Sequence, residues 1–212
     1  IRPFFEWLGD ARQQIEAVAM DMNASFDLEV KAQCPNAEVV YDRFHVVAKY
    51  GREVMDRVRV DQANQLRDDK AARKVIKGSR WLLLRNQDNL KPEQAVKLEE
   101  LLAANASLTK VYLLKDQLKT LWFAEDEATA RSGWQEWAGM ALSSGIDALV
   151  RFTKKLEPYL DGIVSSARHH LNTSVLEGMN NRIKVIKRMA YGYRDTEYFF
   201  LKIRAAFPGK VR

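Results

Sequence analysis

The sequence predicts an α/β fold that is predominantly helical, with two short parallel strands near its start and helices almost everywhere else. Three observations predict it. Two apolar runs, "IEAVAM" (15–20) and "AEVVY" (37–41), are each followed at once by an aspartate. The helix-like segment between them makes a strand–helix–strand unit, which implies parallel pairing and a right-handed crossover. After residue 42 no clear strand pattern returns, and helical periodicity runs on toward the C-terminus.

Each element has its own signature. Residues 1–14 read as a helix with Phe4, Phe5, Trp7 and Leu8 on an aromatic face. The run 15–20 is continuously apolar, as in a strand buried on both faces. "SFDLEVKAQC" reads as a helix, with Phe26, Val30 and Cys34 at i, i+4 and i+8, and it stops before Pro35. "HVVAKYGREVMDRVRVDQANQL" is helical, while "WLLLR" (81–85) fits helix or strand. Lys91-Pro92-Glu93 opens a helix with proline in its first turn. Amphipathic segments follow at 107–123, 127–142 and 145–160, with Pro158 bending or ending the last. Trp81, Trp122, Trp134 and Trp137 are expected in the packing core of these helices.

Composition narrows the function. Hydrophobic residues make up 47% and charged residues 29% of the 212 positions, as in a soluble globular protein. No apolar run approaches a membrane span, and no signal peptide is expected. Cys34 has no partner for an internal disulfide, which suits a reducing cytoplasm. The chain opens at Ile1 already in helix-like sequence and reads as part of something longer. The net charge of +6 favours a polyanionic partner, nucleic acid first. From Arg182 onward there are nine Lys or Arg against two acids, Asp195 and Glu197.

The third informative stretch is "NTSVLEGMNNRIKVIKRMAYGYRD" (172–195). On a helical wheel Glu177, Asn181, Lys184 and Arg188 fall within an arc of about 60°. Val175, Met179, Ile183, Ile186 and Ala190 form an apolar stripe opposite, expected to dock on a core. A carboxylate able to hold a metal, with cations for phosphates on the same face, is the layout that phosphoryl transfer needs. A plainer pattern fits the same residues. Ser174-x-x-Glu177 matches a capping box, which would turn Glu177 back to the helix start. Thr173 as N-cap would instead leave Glu177 uncommitted to that role. Gly192 is expected to end the helix.

"YDRFHVV" (41–47) adds Asp42 at the end of the second run and His45 three residues on. Such a pair can share a proton, cap a helix or bind metal. No nearby Cys or second His completes a zinc site.

Taken together, "AVAMDM", "PNAEVVYDRFHVV" and "LEGMNNRIKVIKRMAYGYRD" resemble transposases of bacterial insertion sequences, the ISL-three family of the DDE superfamily. The resemblance spans essentially the whole chain. It implies a ribonuclease H-like core interrupted by a large all-α insertion, with only part of that core present. Residues 1–50 would be the partial core, 51–168 the helical insertion, and 169–212 the C-terminal helices that complete the core. It implies Asp21 and Glu177 as catalytic metal ligands, with Asp42, His45 and Asn181 beside them. It also implies a Mg²⁺ (or Mn²⁺) cofactor, and DNA partners comprising transposon ends and target. The family's first catalytic aspartate has no counterpart in this sequence, so the chain alone is expected to be inactive. Lys184, Lys187, Arg188, Tyr193 and Arg194 are the expected DNA contacts. A bacterial cytoplasmic location and a homo-oligomer would follow. The alternative is a non-catalytic nucleic-acid-binding remnant of a transposase.

Overall fold

A computed structural model of the protein describes residues 1–171 and 173–209. The chain divides into two units, Ile1–Leu171 and Asn172–Arg212. No helix among the described residues is long and apolar enough to cross a membrane.

The first unit begins with α1 (Arg2–Leu8). The expected 14-residue helix breaks at Gly9, whose φ of 54° ends α1, and a 3₁₀ segment, Gly9–Gln14, follows. Strand β1 (Ala17–Met20) leads into α2 (Ala24–Gln33) and strand β2 (Glu38–Tyr41). The Asn23 side chain caps α2 by accepting from the amides of Ser25 and Phe26. The strands pair in parallel, with Ala17 opposite Glu38 and Met20 opposite Tyr41.

Helix α3 (Arg43–Tyr50) runs through a π-helical turn, Gly51–Met55, into α4 (Asp56–Gln65). Then come α5 (Lys70–Gly78) and α6 (Arg80–Leu84), the latter resolving the ambiguous "WLLLR" as helix. Helix α7 (Pro92–Ala103) starts at its proline. The Asn105 side chain caps α8 (Ala106–Thr120), and that of Asp126 caps α9 (Glu127–Leu142). The cap bonds from Thr129 hold the Asp126 carboxyl below its ordinary range. Helix α10 (Asp147–Leu156) ends in a 3₁₀ turn containing Pro158, followed by α11 (Leu160–Val164) and α12 (Ser166–His169).

The core of this unit lies among α3, α4, α8, α9 and α10. Tyr50, Trp137 and Phe152 meet edge to face, with ring centroids 5.2–6.5 Å apart. Their polar tips are satisfied: the Tyr50 hydroxyl donates to Val111 O and Trp137 Nε1 to Leu114 O, each at 2.8 Å. Trp134 and Trp137 are buried as expected. Trp81 is not: it stands 67% exposed on α6, because that five-residue helix buries only Leu83.

Strand β2 is held from far along the chain. Ser165 Oγ donates to Val39 O at 2.7 Å, and Trp122 Nε1 donates to Tyr41 O at 2.9 Å. Gly162 of α11 lies directly against the Tyr41 ring. The Tyr41 hydroxyl donates to Asp27 Oδ1, and burial first, then that carboxylate, pushes the phenol up. Glu38 is paired by Arg168 and His169. Strand β2 is thus clamped between α2 and the segment 121–169, and β1 is held through its pairing with β2.

In the second unit, α13 (Ser174–Met189) and α14 (Thr196–Ala206) form a helical hairpin. Asp195 caps α14 by accepting from Tyr198 N at 3.1 Å.

Candidate functional site

The strand register puts Asp21 and Asp42 one step beyond the last paired residues, both at C-terminal strand ends. The two aspartates have different duties. Asp42 is 5% exposed; its amide extends the ladder to Met20 O, and its carboxylate accepts from Phe44 N at 2.7 Å. It is therefore the N-cap of α3. Asp21 is exposed, and its Oδ1 lies 2.8 Å from His45 Nε2. An ionised carboxylate only accepts, so Nε2 donates in this contact. Of the roles open to Asp42 and His45, capping falls to the first, while the second reaches across to the aspartate of the neighbouring strand. The first turn of α3 thereby orients Asp21.

In the second unit Thr173 is the N-cap of α13 but makes no side-chain cap bond; its Oγ1 lies 3.4 Å from Glu177 Oε1. The Ser174 side chain lies outside the described residues, so the capping-box expectation for it falls there too. Glu177 is half-buried, while Asn181, Lys184, Lys187 and Arg188 are exposed on α13. Along the apolar stripe Met179, Ile183 and Ile186 are half-buried, and Val175 and Ala190 are exposed. The helix ends before Gly192, at Met189, with Tyr191 (φ 52°) and Gly192 (φ 104°) both left-handed. Gly192 N still bonds back to Lys187 O at 3.0 Å, closing the last turn. Tyr193 is half-buried and stacks on Phe199 with centroids 4.8 Å apart; Arg194 is exposed.

A family model described as transposase, of the ISL-three DDE group, matches residues 1–203. The chain belongs to the ISL-three family of DDE transposases. Among curated relatives of this transposase-family chain, the transposase of insertion sequence element IS1001 from Bordetella parapertussis is 63% identical over 212 residues. That covers all of this chain and 52% of the relative. The transposase of element IS1557 from Mycobacterium tuberculosis is 25% identical over 219 residues, covering 92% of this chain and 48% of the relative. The chain spans about half the length of the curated relatives it matches. No solved structure matches it.

Among the described residues of this transposase-family chain, no group of three or more His, Cys, Asp or Glu side chains is arranged to hold a metal ion. Asp21 offers one exposed, oriented hard-oxygen arm in the first unit. Glu177 belongs to the second unit.

Sequence reasoning missed the surroundings of the α3 start. Arg43, Phe44, Arg52, Trp81, Lys115 and Lys119 line one cavity of about 520 Å³. A signal was present: Lys115 sits in the apolar row of α8, between Val111 and Leu118, and is 2% exposed. A lysine there is out of pattern and marks a place where the core meets something polar. Its Nζ donates to Leu83 O at 2.8 Å and lies 4.1 Å from the Tyr112 ring centroid. Burial lowers its pKa to about 8.

Proposed function

We propose that this chain forms part of the catalytic region of a transposase that cuts DNA strands and joins them to new DNA, with a divalent metal as cofactor. The single observation that carries the proposal is the Asp21–His45 contact at the C-terminal end of the strand pair. An exposed carboxylate fixed by a neighbouring imidazole is how proteins prepare a metal-binding arm. Asp21 and Glu177 would be the ligands, and hard oxygen donors suit Mg²⁺ or Mn²⁺. When bound, such ions activate the attacking water or 3′-hydroxyl and stabilise the leaving oxygen. His45 keeps Asp21 in one orientation, and Asp42 holds the helix that carries His45. Lys184 and Arg188, on the Glu177 face of α13, would hold strand phosphates, with Lys187, Tyr193 and Arg194 at the flank. The ribonuclease H-like core and the division at residues 50 and 168 are parts of the same reading.

A second reading is a non-catalytic DNA-binding chain, in which the net charge of +6 alone gives affinity for DNA. Mn²⁺ binding followed by electron paramagnetic resonance separates the two. In the first reading Asp21→Asn and Glu177→Gln each weaken binding, and the 212-residue chain does not nick DNA. Mn²⁺ binding that neither change affects would remove both residues from the site. Robust nicking abolished by Glu177→Gln would show that the catalytic set is more complete than proposed.

A further inference from the structure

A second feature lies beside the strand ends, between α3 and the helices that follow it. The cavity between α3, α6 and α8 measures about 520 Å³, within the range of small-molecule sites (about 300–1,000 Å³). Its floor is apolar, made by Val47, Ala48, Gly51 and Leu84. Gly51 lets the rods meet there: a Cβ on it would stand 2.9 Å from Leu84 Cδ2. Two large aromatic rings stand at its sides in solvent, Phe44 at 62% and Trp81 at 67% exposure. Four cations line it, Arg43, Arg52, Lys115 and Lys119, and no carboxylate does. Lys115, almost wholly buried, has spent one of its three donors on Leu83 O. The Asn86 amide, which also lines the cavity, accepts from Lys119 Nζ at 3.1 Å. The cavity adjoins the Asp21–His45 contact through α3, since the Phe44 and His45 ring centroids are 5.5 Å apart.

Exposed aromatic rings interleaved with cations form the surface on which unstacked bases bind, each base face on a ring and each phosphate on a cation. Lys119 already pairs with Asp116 at 2.8 Å, but an apolar peptide would leave Arg43, Arg52 and Lys115 without an anion, and a bare phosphate would leave two rings idle. We propose that this cavity receives one unpaired nucleotide of the DNA strand, its base against Trp81 and Phe44, its edge on Lys115 and Asn86, and its phosphate on Arg43, Arg52 or Lys119. This rests on the DNA-processing reading above and deepens it, by assigning α3, α6 and α8 together a grip on a nucleotide taken out of the duplex. A pocket one side chain away from Asp21 would hold the strand near the bond to be cut.

The test uses the 212-residue chain and three probes: a fully paired duplex, the same duplex with one extrahelical 2-aminopurine, and free thymidine monophosphate. The extrahelical probe should bind roughly tenfold tighter than the paired duplex, since stacking one base contributes about 1–3 kcal/mol. Its fluorescence should fall on binding. Trp81→Ala and Phe44→Ala should each reduce the preference several-fold, and Trp81→Phe should keep most of it. Both rings are solvent-exposed, so the Ala variants are expected to fold, and circular dichroism melts check this. If a variant melts early, Lys119→Gln, which should weaken the preference without touching the core, decides instead. Equal binding of both duplexes by the unaltered chain, or a preference that none of these variants alters, overturns the pocket assignment while leaving the DNA reading intact. Tight binding of free thymidine monophosphate assigns the cavity to a soluble nucleotide and overturns the strand assignment. Binding of no DNA probe at any salt overturns the DNA reading and this inference with it.

Discussion

His45 Nε2 lies 2.8 Å from Asp21 Oδ1, so the residue that ends the first strand is held by one that sits just past the end of the second. This contact crosses the strand pair and depends on α3 starting where it does. The Asp42 cap fixes that start.

If His45 positions Asp21 for a metal, His45→Ala should weaken Mn²⁺ binding about 10–100-fold, the usual effect of removing a partner behind a ligand. Melting temperatures of the variants, measured alongside, separate lost affinity from lost structure. His45→Gln, which can still donate to the carboxylate, should recover part of the affinity. Paramagnetic titration of the three proteins checks this. Unchanged affinity in His45→Ala would reduce the contact to a structural one.

Gly162→Ala should destabilise the first unit by about 1–3 kcal/mol through overpacking. The added Cβ would sit 2.5–2.6 Å from the Tyr41 ring and 3.0 Å from Val39 O. The strand backbone cannot yield easily, because Ser165 and Trp122 bond its carbonyls. Tyr41→Leu should couple with it, the double variant losing less than the sum of the singles. Urea denaturation of the four proteins measures the coupling.

Lys115 supplies a pH dependence whose sign is set by its burial. Its pKa falls from 10.5 to about 8 on folding, so between those values the unfolded chain binds more protons than the folded one. Burying the ammonium therefore costs stability below pH 8, and the cost fades as pH rises toward 10.5. Lys115→Met should be more stable than the unaltered chain near pH 7, by up to about 3 kcal/mol. That advantage should shrink steadily between pH 8 and 10. Denaturation of both proteins across this range checks the slope, and a pH-independent difference would contradict it.

Lys184→Ala/Arg188→Ala should weaken binding to unrelated duplexes by similar factors, since phosphate contacts carry little sequence information. The slope of log affinity against log salt should become shallower by roughly two units, about 0.9 per contact. Salt-titrated binding to two duplexes measures it. An unchanged slope on both would take this face of α13 out of the DNA interface.

Much of the fold was legible because its signals are local. The apolar runs before Asp21 and Asp42 marked β1 and β2, and Pro92 marked the start of α7. Gly9 was not read as a break, since a glycine inside an amphipathic pattern is tolerated until its φ is known. Trp81 was expected in the core because indole is usually buried, yet a five-residue helix has too narrow an inner face to cover it. At the strand ends, the sequence could name Asp21, Asp42 and His45 but not divide their work. Asp42 caps through a local bond to Phe44 N, but the reach of His45 to Asp21 joins two segments that no spacing relates. The cavity residues come from α3, the π-helical turn, α6 and α8, and no spacing within one segment relates Phe44 to Trp81 or Lys115.

The clamp on β2 has a consequence for synthesis. Tyr41 O waits for Trp122, 81 residues later, and Val39 O waits for Ser165, 126 residues later. At a ribosomal pace of about 5–20 residues per second, the second bond cannot form until roughly 6–25 s after Val39 is made. During that interval a two-stranded ribbon, marginal by itself in water, is exposed on the nascent chain without its far-side cover. The sheet is then among the last parts of the first unit to become secure, because its clamping bonds come from residues made long after its strands.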